Sequence, residues 1–64
     1  MPNIVHELTI ELARVQSLVA NLDADGQRQA QQLLRNGRES MALNSYEGMA
    51  EALGELREFR KPKK

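Results

Sequence analysis

The sequence contains no cysteine and no tryptophan, and it has a single tyrosine and a single phenylalanine. Without cysteine, neither a disulfide nor a thiolate metal site can supplement the core. No apolar run approaches the roughly 20 residues that a membrane-spanning helix needs. The opening residues, "MPNIVHEL", have neither the basic start nor the long apolar region of a secretory signal. We therefore expect a cytoplasmic protein that makes no contact with membranes.

An excess of charge of either sign is also missing, because nine Lys and Arg balance nine Asp and Glu. Nucleic-acid binders of this size carry a strong basic excess, since neutralising phosphates supplies most of their affinity. The one basic cluster is "RKPKK" at residues 60–64, which is typical of a solvated terminus. The sequence therefore predicts no nucleic-acid binding.

The chain is also short. At 64 residues it is long enough for one helical domain or subdomain, spanning residues 1–64, with 61–64 as a frayed basic tail. A domain of this size buries a small share of its surface and is marginally stable by itself.

The apolar residues of the first third recur at steps of four and three, which is the pattern of one helix face. They are Ile4, Leu8, Leu12, Val15, Val19 and Leu22. Asn3 precedes them and can cap the helix by accepting from free backbone N–H groups. This pattern predicts a first helix over residues 3–22.

Two further helices are predicted. Asp23 is a suitable cap for a second helix over 24–42, whose apolar stripe is thin: Ala30, Leu33, Leu34, Gly37 and Met41. The stripe of a third helix over 46–60 consists of Tyr46, Met49, Leu53, Leu56 and Phe59, and Pro62 would end it. No segment alternates as a strand does. The predicted fold class is all-α, a three-helix bundle.

The position of the second chain reversal is open to two interpretations. A break at Asn36-Gly37 makes Gly37 a left-handed C-cap, whereas a break at Asn44-Ser45 places Asn44 in the turn and makes Ser45 the cap of helix three. The second choice leaves Gly37 inside a helix, at about 1 kcal/mol relative to Ala. It also gives two long helices of similar length that pair throughout, so we place the break at Asn44-Ser45.

With these boundaries, residues 22–59, "LDADGQRQAQQLLRNGRESMALNSYEGMAEALGELREF", resemble the C-terminal helical lid of DnaK-type heat-shock chaperones. Leu22-Asp23 matches the turn into the penultimate helix of that lid, and Ser45 stands where the family has a capping Asp. The resemblance implies a lid that closes over a peptide-binding domain supplied elsewhere. It implies no catalytic residue in this chain.

The residues themselves predict no enzyme. His6 has Thr9 and Ile10 at the positions where a second metal ligand would lie. Ser17, Ser40 and Ser45 have no histidine or lysine placed to activate them. The glycines form no phosphate-binding motif. We therefore predict no catalytic, cofactor-binding or metal-binding residues and no cofactor.

A row of acidic residues, Glu47, Glu51 and Glu55, indicates a solvated helix face or, less commonly, a surface for a basic partner. Met41 and Met49 stand at core spacing. An alternative to the lid is therefore a freestanding interaction module that binds a protein partner or forms a homo-oligomer. In that case a partner chain would complete the thin stripe of helix two.

Overall fold

The computed structural model describes residues 3–59, which form three α-helices. Helix α1 spans Ile4–Leu18, α2 spans Ala24–Ala42 and α3 spans Tyr46–Glu58. Each helix contacts the other two. The predicted all-α, three-helix bundle is confirmed, and α2 has the predicted bounds.

The first helix is shorter than the predicted 3–22. After Leu18 the chain tightens into a 3₁₀ turn over Val19–Asn21, and Leu22 is extended. This turn brings the chain directly to Asp23, whose carboxylate accepts from the Gly26 N–H at 2.7 Å and caps α2. The early end of α1 therefore follows from the tight reversal that α2 needs for its start.

The third helix was predicted to reach residue 60. Its last helical residue is Glu58, and Phe59 is extended while its N–H still bonds to the carbonyl oxygen of Glu55. Pro62 and the basic tail over 61–64 lie outside the described residues.

The second reversal lies at Asn44-Ser45, as predicted. Asn44 has a φ of 56°, in the left-handed region. Its N–H bonds to the carbonyl of Met41, and the N–H of Ser45 bonds to the carbonyl of Ser40, which together form a Schellman motif. The Ser45 hydroxyl then accepts from the Gly48 N–H at 3.2 Å and caps α3. One short segment thus ends α2 and starts α3.

Gly37 lies inside α2 and is buried. A Cβ built at this position would stand 2.9 Å from Leu12 Cδ2 and 3.7 Å from Leu56 Cδ1. The missing side chain therefore lets α2 approach the side chains of the other two helices closely, which is the packing role expected for a glycine on this stripe.

The core is built from the apolar stripes of all three helices. Its buried residues are Leu8, Leu12, Val15, Ala30, Leu34, Met49, Ala52, Leu53, Leu56 and Phe59. Ala30 and Leu34 of α2 are fully buried between the other two helices. The middle of the α2 stripe is therefore covered within the chain, whereas Leu33 and Met41 are half-buried. Completion of this stripe by a partner chain stays a prediction. A thin stripe suffices because α1 and α3 both pack against α2.

Candidate interaction surface

Helices α1 and α3 are tied by two polar contacts. The Arg57 guanidinium pairs with the Glu7 carboxylate at 2.8 Å. The Arg14 guanidinium donates to the backbone carbonyl of Leu56, near the end of α3. These contacts fix how the two helices lie side by side, and a shallow groove remains between them.

Tyr46 lies at the open end of this groove. The sequence pattern assigned it to the core stripe of helix three, and this assignment is wrong, because the side chain is 68% exposed. Tyr46 is the first residue of α3 and lines the groove with Ile4, the first residue of α1. The neighbouring Leu43 is even more exposed, at 72%.

Ala50 and Gly54 follow Tyr46 along the exposed surface of α3 at intervals of four residues, so the three lie on one helix face. We call this set the α3 stripe. Ala50 and Gly54 also line both grooves that flank α3. The α1–α3 groove has Ile4 and Leu53 in its walls. The α3 stripe is therefore a low ridge with apolar side chains on both sides.

The second groove separates α3 from α2, with Leu33 and Phe59 in its walls. Glu51 and Glu55 line this groove as well. They also share the adjoining cleft between the two helices with Glu39 of α2. One side of the α3 stripe therefore combines the apolar residues Leu33 and Phe59 with two carboxylates. We call Glu51 and Glu55 the acidic edge.

The acidic edge differs from three other carboxylates of the chain in its ion pairs. Glu7, Glu11 and Asp25 each pair with an arginine at 2.8–3.0 Å. Within residues 3–59, no arginine forms an ion pair with Glu51 or Glu55. The sequence signal of an acidic row thus includes carboxylates that no arginine within residues 3–59 neutralises.

Residues that sequence analysis excluded from catalysis have ordinary positions. His6 is exposed on α1. The Ser17 hydroxyl donates to the Arg14 carbonyl, and the Ser45 hydroxyl caps α3. Across residues 3–59, no three His, Asp or Glu side chains are grouped so that they could hold a metal ion.

The two methionines at core spacing lie in or against the core. Met49 is buried, and Met41 is half-buried and packs against the core cluster. Their expected role in packing is therefore confirmed.

The sequence prediction does not include the α3 stripe, although the regular spacing of its residues can be seen in the sequence. Ala50 and Gly54 are too small to count as apolar markers, so the pattern search passed over them. The spacing of an aromatic residue and two small residues at positions i, i+4 and i+8 would have drawn attention to this face.

None of the helices within residues 3–59 is long and apolar enough to cross a membrane. Comparison of the chain with protein-family models, with characterised proteins and with solved structures found no match. The resemblance to a chaperone lid therefore stays a prediction from the sequence.

Proposed function

We propose that this chain is a small helical protein–protein interaction module that binds its partner through the α3 stripe. The observation that carries the proposal is the exposed α3 stripe, whose three residues are uncharged, on a bundle whose core is already closed. The fold does not need this face, since the core residues are buried without any contribution from Tyr46, Ala50 or Gly54.

The character of the stripe supports this role. Exposed apolar side chains scattered singly are normal, but here a tyrosine lies on one helix face with two small residues, beside two grooves that have apolar residues in their walls. Tyrosine is enriched in protein interfaces, where its ring contributes area at a small loss of side-chain entropy. Ala50 and Gly54 allow the backbone of a partner to come close to α3.

A chaperone lid is the second candidate. It rests on the resemblance of residues 22–59 to the DnaK-type lid. A lid would slow the release of peptide from the lidless peptide-binding domain of such a chaperone when the chain is added to it. A freestanding module would leave the release rate unchanged.

The interaction itself is tested by photo-crosslinking in cells that produce the chain. A benzoyl-phenylalanine replaces Tyr46 in one variant and Ile10 in the control. Ile10 is a suitable control because it is also an exposed apolar residue, at 51%, and lies outside both grooves that flank α3. We expect a discrete crosslinked protein from position 46 and none from position 10. Equal crosslinking from both positions, or none from position 46, would count against the proposal.

A further inference from the structure

We infer that the partner of the α3 stripe is a basic amphipathic helix, which lies in the α2–α3 groove with its apolar side on Ala50 and Gly54. This inference rests on the proposed function and specifies the chemistry of the partner. Two features of the same groove lead to it: the apolar residues Leu33 and Phe59, and an acidic edge that forms no ion pair within residues 3–59.

The shape of the groove fits a helix. Leu33 from α2 and Phe59 from the end of α3 form its walls, and the two small residues of the stripe keep the α3 side low. The part of α3 that lines the groove runs from Ala50 to Phe59, which at 1.5 Å per residue is about 14 Å. That length matches two to three turns of a partner helix, which would present one apolar side chain per turn.

The charge of the edge specifies the rest of the partner. Glu51 and Glu55 lie four residues apart, where like charges repel and weaken the helix that carries them. Glu39 of α2 adds a third carboxylate in the adjoining cleft, which Glu51 and Glu55 also line. Lysine or arginine side chains along one flank of a bound helix would remove this repulsion, whereas an acidic flank would increase it.

The same charges argue against a second copy of α3 as the occupant. In a symmetric dimer the same patch of each subunit meets its copy. Two α3 helices packed antiparallel through Ala50 and Gly54 would place the Glu51 flank of one against the Glu51 flank of the other. The acidic edge would then be repelled rather than neutralised.

The test uses the full chain and two synthetic helical peptides of about 18 residues, a length at which isolated helices begin to be populated. Both peptides carry the same Leu and Ala stripe. One has Lys along the flank of the stripe, and the other has Glu at the same positions. We expect the Lys peptide to bind with a dissociation constant of tens of micromolar in fluorescence anisotropy, and the Glu peptide to bind at least about tenfold more weakly. Raising the salt from about 0.05 to 0.2 M should weaken the Lys peptide severalfold, because these charges are exposed.

Variants of the chain locate the binding site. Glu51→Gln and Glu55→Gln should each weaken the Lys peptide about twofold to threefold, through the loss of one exposed charge pair. Ala13→Lys is the matched control, since it changes the net charge by the same amount at an exposed position of α1. It should leave the affinity unchanged. Gly54→Gln should weaken binding about tenfold by filling the groove, and its Cβ meets no heavy atom within 4 Å, so the fold accepts it.

Three outcomes would overturn the inference. Equal binding of the two peptides would show that charge plays no part. Equal weakening by Ala13→Lys and Glu51→Gln would show that only net charge matters. Self-association in sedimentation that Gly54→Gln abolishes would identify a second copy as the occupant. The crosslinking result at Tyr46 is independent of all three: a crosslinked protein without binding of the Lys peptide keeps the proposed function and rejects the basic helix.

Discussion

Gly37→Ala measures how closely the helices approach at the centre of the bundle. Sequence reasoning alone expects this change to stabilise the protein by about 0.5–1 kcal/mol, because alanine favours a helix interior over glycine. That expectation holds only if the added methyl group meets no neighbouring helix. The structure shows that it does meet one.

The new methyl carbon would lie 2.9 Å from Leu12 Cδ2, closer than two carbon atoms can pack. Leu12 is only 8% exposed, so its side chain must shift within the core and not into water. Overpacking a core in this way costs about 1–3 kcal/mol. Set against a helix-propensity gain of about 1 kcal/mol, this leaves Gly37→Ala between neutral and about 2 kcal/mol less stable than the parent.

Gly54→Ala is the matched control. This glycine also lies inside a helix, but nothing stands within 4 Å of the position of its Cβ. No steric cost therefore offsets the helix-propensity gain, and we expect Gly54→Ala to raise the free energy of unfolding by about 0.5–1 kcal/mol. The difference between the two variants isolates the packing term at Gly37.

Urea unfolding followed by circular dichroism gives both free energies, and for a domain of this size 1 kcal/mol corresponds to a shift in Tm of about 4–8 °C. A second variant checks the cause. Leu12→Ala removes the atom that the new methyl strikes, so Gly37→Ala should be less harmful in the Leu12→Ala background than in the parent. If Gly37→Ala stabilised the protein as much as Gly54→Ala does, the close approach of α1 and α2 described above would be refuted.

Three further predictions follow from the second turn and from the charge distribution. Gly48→Ala should leave the protein between neutral and about 2 kcal/mol less stable in urea unfolding, because its Cβ would lie 2.6 Å from the Ser40 hydroxyl oxygen and the helix-propensity gain of about 1 kcal/mol offsets part of the cost. Ser40→Ala in the same chain should raise the stability of Gly48→Ala. Asn44→Gly should be nearly neutral, whereas Asn44→Ala should cost about 1 kcal/mol, because alanine tolerates a φ of 56° poorly; equal effects would show that this residue is not left-handed. The chain should not bind duplex DNA at physiological salt in a mobility-shift assay, because its net charge is zero, and submicromolar binding would contradict this.

The sequence predicts the helices and turns well where a local signal decides the structure. Asp23 and Ser45 are good caps, and each begins a helix in the structure. Asn44 was chosen over Gly37 as the turn residue because that choice leaves two long helices able to pair, and its positive φ confirms the choice. In each case one residue carries the information and no distant contact is needed.

Sequence reasoning fails where the answer depends on what lies across from a residue. Tyr46 has core spacing, yet it is exposed because α1 begins beside it and leaves its ring uncovered. The sequence left open whether a partner chain covers the thin stripe of α2, and in the structure Ala30 and Leu34 are fully buried because two helices pack against them. Periodicity gives the face of a helix that is apolar, and the neighbouring helices decide how much of that face is covered.

The position of Asn36-Gly37 inside α2 also affects how the protein ages chemically. In a flexible chain this pair deamidates readily, because the glycine nitrogen is free to attack the asparagine side chain and form a cyclic imide. Here both residues lie within a continuous helix, and the Asn36 side-chain oxygen accepts from Gln32 Nε2 at 3.1 Å. The attack requires a backbone conformation that the helix excludes, so the damage accumulates only through molecules in which α2 has opened. The rate at which stored protein gains a negative charge at residue 36 therefore reports how often α2 opens.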